Sequence, residues 1–329
     1  MMRDNFDELN NNNLNDENLD MMSKILMEEK LMNDILTQQQ QAKRLSGKEV
    51  AAAIMDDNLT RTFCLQSRGC QPTLAVFRLG ERPDDIYYEN SIKRHCEQVG
   101  VRCQTMELPV GIREEEFAAM LTQTSQDHSI HGIFFFSPLP PNMNETHLRS
   151  LINPAKDVDC LSRTTQAELY FGGPRQGFAP CTAAAVMEML RYYQIPLVGK
   201  QVVVLGRSLV VGRPLAMLLL DANATVTIAH SKSENLSQVC WQADIVVAAV
   251  GKPRLVQGGW LRPGQVVIDV GANADPDNGG KMCGDVDFEA AQGMVAAITP
   301  VPGGVGLVTT AILCRHVIEA AERLSGLHE

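Results

Sequence analysis

The chain has 329 residues and a mass of 36.1 kDa, a little over twice the size of an ordinary domain, so we expect two domains with separate cores. Hydrophobic residues make up 45% and charged residues 21%, which is enough apolar material for a globular α/β protein. The formal charge of −10 argues against nucleic acid or an anionic membrane as a partner, because both need clustered lysine and arginine. A small molecule is the expected ligand.

The nine cysteines are scattered and form no Cys-x-x-Cys pair, so they predict reduced thiols and no metal site. No uncharged apolar run approaches the roughly 20 residues of a membrane span, and the first residues are too polar for a secretion signal. We therefore expect a cytoplasmic protein.

Residues 1–45 differ in composition from the rest of the chain. They contain an Asn run, a Gln run, and nine acidic against five basic residues, a composition that predicts a disordered extension. Between Met21 and Leu36, however, apolar residues recur at roughly helical spacing. This spacing leaves open a short amphipathic helix that docks on the body of the protein or on a partner.

Residues 46–182 alternate between helical and strand patterns, which favours parallel strands joined by helical crossovers and predicts a first α/β domain. The predicted elements in this part are a helix over 48–55, a strand over 73–80, a helix over 84–99, a strand over 101–108, a helix over 114–124 and an apolar run over 132–141.

The alternation repeats after Pro180, and residues 183–308 predict a Rossmann-type sheet. A last helix over 309–324 closes the chain. The predicted elements before it are a helix over 183–193, a strand over 201–206, a helix from residue 213, a strand over 224–230, a further helix, and strands over 243–251 and 264–273.

The segment QVVVLGRSLVVGRP, residues 201–214, has the features of a nucleotide-binding loop. Gly206 ends a β-branched strand and permits a tight turn, and Gly212 lies near the start of a helix whose positive end faces a phosphate. The spacing departs from the usual G-x-G-x-x-G, so an ordinary strand-to-helix turn remains the alternative.

The next strand ends in Ala229, His230, Ser231 and Lys232, where many dinucleotide folds keep a carboxylate for the ribose 2′-hydroxyl. No carboxylate is there to repel a 2′-phosphate, and Arg207 provides a charge-assisted contact, so NADP is favoured over NAD. Solvated surface charges are the alternative interpretation of Arg207 and Lys232. The candidate cofactor-binding residues are Gly206, Arg207, Ser208, Gly212, Ser231 and Ala272.

Seven segments in order from about Leu45 to the C-terminus resemble the methylenetetrahydrofolate dehydrogenase/cyclohydrolase family of one-carbon metabolism. They are PAKDVDC, FAPCTAAAV, GRSLVVGRP, ADIVVAAVGKP, VVIDVGAN, GDVDF and TPVPGGVG. The resemblance implies an N-terminal α/β folate domain, a Rossmann-type NADP domain, a C-terminal helix that returns to the first domain, and a homodimer. It also implies oxidation of 5,10-methylenetetrahydrofolate by NADP, followed by hydrolysis of the methenyl product to 10-formyltetrahydrofolate.

The family motif Y-x-x-x-K is only half kept. The resemblance places Tyr88 at the tyrosine that stacks on the substrate, whereas Ile92 takes the place of the catalytic lysine. Residues four apart share a helix face, so Tyr88 and Ile92 are expected to face the same cleft. Lys93 is turned by roughly 100° about the helix axis and should point elsewhere.

A second departure agrees with the first, because Phe136 takes the place of the family glutamine that bonds the lysine. Joint replacement by apolar residues indicates a repacked site rather than one isolated change, since an unpartnered amide costs about 1 to 3 kcal/mol. Asp159 keeps the family position that anchors the pterin ring, although Cys160 replaces the glycine after it. The loop expected to line the folate pocket contains Pro300, Pro302 and Gly303.

Hydride transfer depends mostly on positioning, whereas hydrolysis needs proton transfers that Ile92 and Phe136 cannot perform. We therefore predict a dehydrogenase whose cyclohydrolase activity is lost or very weak. One alternative is a catalytically silent folate- or nucleotide-binding paralogue with a regulatory or assembly role. Another is a dehydrogenase for another reduced pterin or a more apolar substrate, suggested by Phe134, Phe135 and Phe136, which a buried strand also explains.

Overall fold

The structure, a computed structural model, describes residues 41–275 and 278–327. The helix predicted between Met21 and Leu36 lies outside the described residues. Within them, none of the helices combines the length and apolar character needed to cross a bilayer.

The first part of the chain builds a parallel three-stranded sheet with helical crossovers, as predicted. The strands lie in the order β3-β2-β4, so the chain moves from the centre to one edge and then to the other. The elements in chain order are β1 (Lys43–Arg44), α1 (Gly47–Ser67), β2 (Thr73–Leu79), α2 (Pro83–Gln98), β3 (Arg102–Leu108), α3 (Glu114–Gln126) and β4 (Gly132–Phe135).

Two helices that hydrophobic spacing did not predict follow this sheet, α4 (Glu145–Ser150) and α5 (Arg163–Phe171). Each begins with a polar N-cap. The Asn144 side chain accepts the N–H of His147, and Ser162 accepts the N–H of Thr165. Side-chain caps of this kind stabilise short helices whose burial is modest.

The second part forms a parallel six-stranded sheet in the order β1-β11-β8-β7-β5-β6 and a separate antiparallel pair, β9 with β10. This agrees with the predicted Rossmann-type domain. The elements in chain order are α6 (Cys181–Tyr192), β5 (Gln201–Leu205), α7 (Gly212–Asp221), β6 (Thr225–Ala229), α8 (Leu236–Gln242), β7 (Ile245–Ala248), β8 (Val266–Asp269), β9 (Asn273–Ala274), β10 (Met282–Cys283), α9 (Phe288–Gln292), β11 (Ala297–Ile298) and α10 (Gly306–Ser325).

Strand β1 does not belong with the polar extension to which composition assigned it. Lys43 and Arg44 pair in parallel with Ala297 and Ile298 at the edge of the second sheet. Leu45, next in sequence, is buried and its N–H donates to the Ile298 carbonyl over 2.8 Å. The chain therefore joins the second sheet before it enters the first domain, which local polarity could not show.

The last helix, α10, returns to the first domain. The Asn58 side chain in α1 donates to the Ala311 carbonyl over 3.0 Å, and Arg61 pairs with Glu322. A Cβ built on Gly132 in β4 would lie 2.9 Å from Val317, which shows how closely α10 packs on the first sheet. One apolar cluster runs through α1, α6 and α10 and joins the two domains.

Candidate active site

The predicted cofactor residues lie where parallel strands of the second sheet end. Gly206 follows β5, Ser231 follows β6, Ala272 follows β8 and Pro300 follows β11. Because the carboxyl ends of parallel strands meet at one edge, these segments share the edge at which dinucleotides bind in such sheets. The structure therefore brings the sequence-predicted loops to one place.

Both glycines of the nucleotide loop are required by close backbone approach. Gly206 has φ +118°, and a Cβ on it would lie 2.1 Å from the Ala249 carbonyl oxygen. A Cβ on Gly212 would lie 2.1 Å from the Gly206 carbonyl oxygen. The loop thus folds back on itself and leads directly into the N-terminus of α7. A tight turn that leads into a helix N-terminus fits a pyrophosphate group.

The side chains in this loop divide between structural and exposed roles. Ser208 accepts the N–H of Val211 over 3.0 Å and so shapes the turn before α7. Arg207, Ser231 and Ala272 are exposed at this edge. His230 is partly buried and its Nδ1 accepts the N–H of Lys232, which assigns it to the turn. Arg207 and the loop N–H groups form a donor set that fits a dinucleotide with a 2′-phosphate.

Two buried carboxylates hold the neighbouring strand ends in place. Asp269 accepts the N–H groups of Gly271, Asp285 and Val286, and burial raises its pKa to about 6. Asp285 accepts the N–H groups of three consecutive residues, 250–252. These bonds give both aspartates the role of holding the loops at the strand ends.

Tyr88 lies on α2 beside an aromatic wall. Its ring centroid is 6.2 Å from those of Phe134 and Phe136, which are themselves 5.2 Å apart in an edge-to-face arrangement. Ile92, one turn further along α2, is completely buried. Ile92 and Phe136, which the resemblance aligns with the family lysine and glutamine, are therefore both packed in hydrocarbon.

Lys93 points away from this wall. Its Nζ lies 2.5 Å from Oε1 of the buried Glu89, whose Oε2 accepts from Arg78 Nε over 2.5 Å. Burial tends to raise the pKa of Glu89, but the hydrogen bonds from Lys93 and Arg78 outweigh it and hold that pKa below its usual value. Because α2 is helical without a break over Pro83–Gln98, Lys93 is not a substitute for the missing lysine.

Asp159 provides a carboxylate on the other side of Tyr88. Its Oδ1 accepts the N–H of Cys181 over 2.7 Å, and burial raises its pKa to about 6 against the opposing effect of that bond. Burial also raises the pKa of the Tyr88 phenol, helped by Cys181 and Asp159, while hydrogen bonds from Thr310 and Thr309 oppose the rise. A protonated tyrosine thus lies close to a carboxylate that titrates near pH 6.

The loop that carries Asp159 is built by Asp157. This fully buried carboxylate accepts the N–H groups of Leu161 and Ser162 and the hydroxyl of Thr165. Cys160 adopts φ +55°, in the left-handed region where the resemblance expects glycine. A side chain in that region costs on the order of 1 kcal/mol, so the packing of the loop enforces this conformation.

The loop from Pro300 to Gly304 is fixed against the start of α1. The Gly303 carbonyl accepts the N–H of Gly47 over 2.8 Å, and a Cβ on Gly47 would lie 1.9 Å from the Gly304 carbonyl oxygen. Pro300 is buried, whereas Pro302 is exposed and follows a cis peptide bond. The loop leads into α10, which places Thr309 and Thr310 beside Tyr88.

Cys181 has a histidine neighbour that the sequence did not indicate. His316 Nδ1 lies 3.7 Å from Cys181 Sγ and 2.9 Å from the Val158 carbonyl, to which it donates. Burial lowers the pKa of His316 to about 4 and raises that of Cys181 well above its usual value. Nδ1 holds its proton for Val158, so His316 cannot accept the thiol proton there.

Thr310 and His316 are the residues near this site that sequence reasoning missed. Both lie on α10, more than 200 and 100 residues from their partners Tyr88 and Cys181, and neither belongs to a local motif. Among the residues that the structure describes, no group of three His, Cys, Asp or Glu side chains is arranged to hold a metal ion.

Comparison with known families and proteins agrees with this geometry. The catalytic-domain model of tetrahydrofolate dehydrogenase/cyclohydrolase matches residues 45–159, and the NAD(P)-binding-domain model matches residues 180–325. The bifunctional protein FolD of Carboxydothermus hydrogenoformans is 52% identical over 286 residues, 87% of this chain and 99% of that protein. Bifunctional protein FolD 1 of Desulfitobacterium hafniense is 48% identical over 278 residues, 84% of this chain and 98% of that protein.

Two solved structures show the same two-domain fold. The bifunctional FolD methylenetetrahydrofolate dehydrogenase/cyclohydrolase of Campylobacter jejuni has a TM-score of 0.83 at 36% identity, covering 86% of this chain and 99% of its own. The FolD of Trypanosoma brucei, complexed with NADP cofactor and an inhibitor, has a TM-score of 0.80 at 36% identity, covering 86% of this chain and 98% of its own.

Proposed function

Because the chain belongs to the tetrahydrofolate dehydrogenase/cyclohydrolase family, we propose that it oxidises 5,10-methylenetetrahydrofolate with NADP and that its cyclohydrolase step is lost or very weak. The proposal includes a cytoplasmic location, in keeping with nine cysteines that are all unpaired. One observation supports the proposal that the dehydrogenase is kept and the cyclohydrolase lost. Ile92, at the position that the resemblance assigns to the family lysine, is completely buried.

Hydride transfer requires the substrate carbon to be held close to the nicotinamide, and bound NADP supplies the hydride acceptor. The residues that position the folate in this proposal are Tyr88, Asp159 and the loop over 300–304. Tyr88 offers its ring face for stacking, and Asp159 accepts N–H groups from the pterin when it is ionised. The rigid attachment of the loop to Gly47 limits the positions open to the substrate.

Hydrolysis of the methenyl bridge makes a different demand, because a water must be oriented and protons must move. Ile92 and Phe136 offer no donor or acceptor, and Lys93 is held by Glu89 on another side of α2. The phenol of Tyr88 keeps its proton at neutral pH because its pKa is raised. Asp159 remains as a carboxylate near the site, but its Oδ1 is engaged by the Cys181 N–H, and burial disfavours its charged form.

The preference for NADP is supported by the end of β6 and by the nucleotide loop. Ala229, His230 and Ser231 bring no carboxylate to the place where the ribose 2′-group lies in related sheets. Arg207 is exposed at the same sheet edge and offers a positive charge to a 2′-phosphate, which an acidic residue would repel. NAD should therefore bind more weakly.

The proposal also includes a homodimer formed through the second domain. Strand β6 lies at the edge of the six-stranded sheet, and large apolar side chains are exposed near it. Leu209 is 54% exposed, Val210 52%, Leu220 57% and Ile228 38%. Exposed apolar surface of this kind is typical of protein interfaces. Light scattering of the wild type and of an Ile228→Glu variant tests it, with a monomeric wild type as the contradicting result.

The test of function follows the absorbance of the methenyl product with each nucleotide. We expect NADP to give methenyl product that persists, since hydrolysis is slow. Adding a family enzyme that keeps the lysine should then clear it, which controls for product identity. Rapid clearance by this protein alone would restore the bifunctional assignment. Absence of product together with measurable folate binding would instead support the silent paralogue.

A further inference from the structure

A cavity of about 390 Å³ opens at the amino-terminal ends of the strands of the first sheet. It is lined by Thr73 and Arg102, at which β2 and β3 begin, and by His131, which directly precedes β4. Cys70, shortly after α1, and Ser325, the last residue of α10, also line it. Strand β2 is seven residues long, so this cavity lies roughly 20 Å from the carboxyl ends of the strands. It is separate from the folate and nucleotide sites.

Lys156 brings a buried ammonium group to this cavity. The residue is 3% exposed, and its Nζ donates to the Asp127 carbonyl over 2.6 Å. A lysine ammonium has three N–H donors. Within residues 41–275 and 278–327, that carbonyl is the acceptor recorded for Nζ, so two donors stay available to a ligand. Because Lys156 lines the cavity, an anionic acceptor there would form charge-assisted hydrogen bonds with these donors.

His131 adds a donor of defined direction. Its Nδ1 accepts the N–H of Thr73 over 3.2 Å, so in the neutral ring the proton is on Nε2. That nitrogen lies 3.7 Å from the Sγ atom of Cys70, a long contact with a weak acceptor. Burial lowers the pKa of His131, which keeps the ring neutral with this tautomer. Nε2–H is therefore available to a stronger acceptor.

Arg102 lies at the exposed mouth of the cavity and His128 beside it. In the described part of the chain, the Arg102 guanidinium has no recorded ion pair. The carboxylate that acts on Lys156 is that of Asp127, and its Oδ1 already accepts the N–H and the hydroxyl of Ser129. The cationic and N–H donor side chains of Lys156, Arg102 and His131 thus line one partly open cavity.

We propose that this cavity binds a phosphate group, either free phosphate or a small phosphate monoester, through Lys156, His131 and Arg102. The oxygens of a tetrahedral oxyanion would accept hydrogen bonds from Lys156 Nζ, His131 Nε2 and the Arg102 guanidinium. Such charge-assisted bonds are stronger than neutral ones. The competing explanation is that these cations only complement the C-terminal ends of α1, α3 and α10, which meet here.

The experiment titrates inorganic phosphate, and separately glycerol phosphate, into the full chain by calorimetry at constant ionic strength, with chloride as the reference anion. Arg102→Ala removes the exposed donor without disturbing the buried ones, and we expect it to weaken binding about tenfold. Arg94→Ala, on the exposed side of α2, is the matched control and should bind as the wild type. If phosphate binds at the nucleotide loop instead, Arg207→Ala should weaken the measured phosphate binding.

Histidine ring signals in an NMR titration give a second measurement, which reports on His131 directly. The expected result is a saturating shift of the His131 ring signals by phosphate in the wild type and in Arg207→Ala. A lower dissociation constant for glycerol phosphate than for inorganic phosphate would identify a monoester as the ligand. Equal effects of chloride and phosphate, or binding lost in Arg207→Ala and kept in Arg102→Ala, would overturn the proposal and leave helix-end capping as the role of these cations.

Discussion

The Lys93 Nζ atom lies 2.5 Å from Glu89 Oε1, and this i, i+4 ion pair turns the lysine away from the helix face that carries Tyr88 and Ile92. Glu89 is buried and also bonds Arg78. Lys93, next to the proposed family lysine position, is therefore engaged by Glu89, and Glu89 in turn joins α2 to Arg78 on β2.

Replacing Lys93 with Met should change dehydrogenase kcat and KM by less than about twofold, because the side chain is partly exposed and does not face the cleft. The measurement is steady-state kinetics with NADP. Arg94→Met, on the exposed side of the same helix, is the control. A loss of two orders of magnitude in Lys93→Met alone would show that this lysine does reach the substrate.

The pair Ile92→Lys and Phe136→Gln should be coupled. Ile92→Lys alone buries an unpaired ammonium and should lower the free energy of unfolding by about 3 kcal/mol or more. Phe136→Gln alone leaves a buried amide without a partner, at about 2 kcal/mol. In the double variant the amide and ammonium bond each other, so the loss should be at least about 1 kcal/mol smaller than the sum.

Urea unfolding of the four proteins gives this coupling, and the methenyl assay shows whether hydrolysis appears in the double variant. Strict additivity would mean that the two positions do not meet. A double variant that is well folded yet inactive in hydrolysis would show that Cys160, or another departure, also blocks that step.

Gly206→Ala should reduce NADP affinity at least tenfold. The new methyl group would lie 2.1 Å from the Ala249 carbonyl oxygen, and the residue would keep a φ of +118°, so the loop must move. Nucleotide titration by fluorescence or calorimetry measures the effect. Gly259→Ala is the control, because its Cβ meets open space and its φ is ordinary. Equal affinities for the two variants would contradict the nucleotide-loop assignment.

Asp159 should give the dehydrogenase a dependence on pH near 6. Its pKa is raised to about 6, so the carboxylate that accepts pterin N–H groups is largely formed only above that pH. We expect kcat/KM for the folate to rise as the pH increases through 6, and Asp159→Asn to have a lower value with a flat profile. A wild-type profile that does not change between pH 5 and 7.5 would remove Asp159 from folate binding.

His316 should make stability fall in acid. Its pKa is lowered from 6.5 to about 4 by burial, so the folded state disfavours the protonated ring. The stability contributed by the neutral ring is complete above pH 6.5 and is lost as the pH falls toward 4, by up to about 3 kcal/mol. Urea unfolding at several pH values should show this slope reduced in His316→Gln and kept in His128→Gln, an exposed control.

The amino-acid sequence by itself determined the alternation of elements, the two-domain class and the nucleotide loop. Buried parallel strands such as Thr73–Leu79 and Ile245–Ala248 are continuous apolar runs, and glycines mark the strand-to-helix turns. The resemblance of the sequence to the family also supports the proposal that Ile92 and Phe136 take the places of the family lysine and glutamine.

Only the tertiary structure decided contacts between residues far apart in the chain. In the structure, Lys43 and Arg44 pair with the second sheet rather than belonging to the polar extension. Thr310 lies beside Tyr88, and His316 lies beside Cys181. One physical reason is that α10 returns across the molecule to pack on the first domain. The other is that a sheet edge has unpaired backbone N–H and C=O groups, with which any extended segment nearby can form hydrogen bonds. Neither event has a local signature, because hydrophobic spacing reports which face of an element is buried but not what buries it.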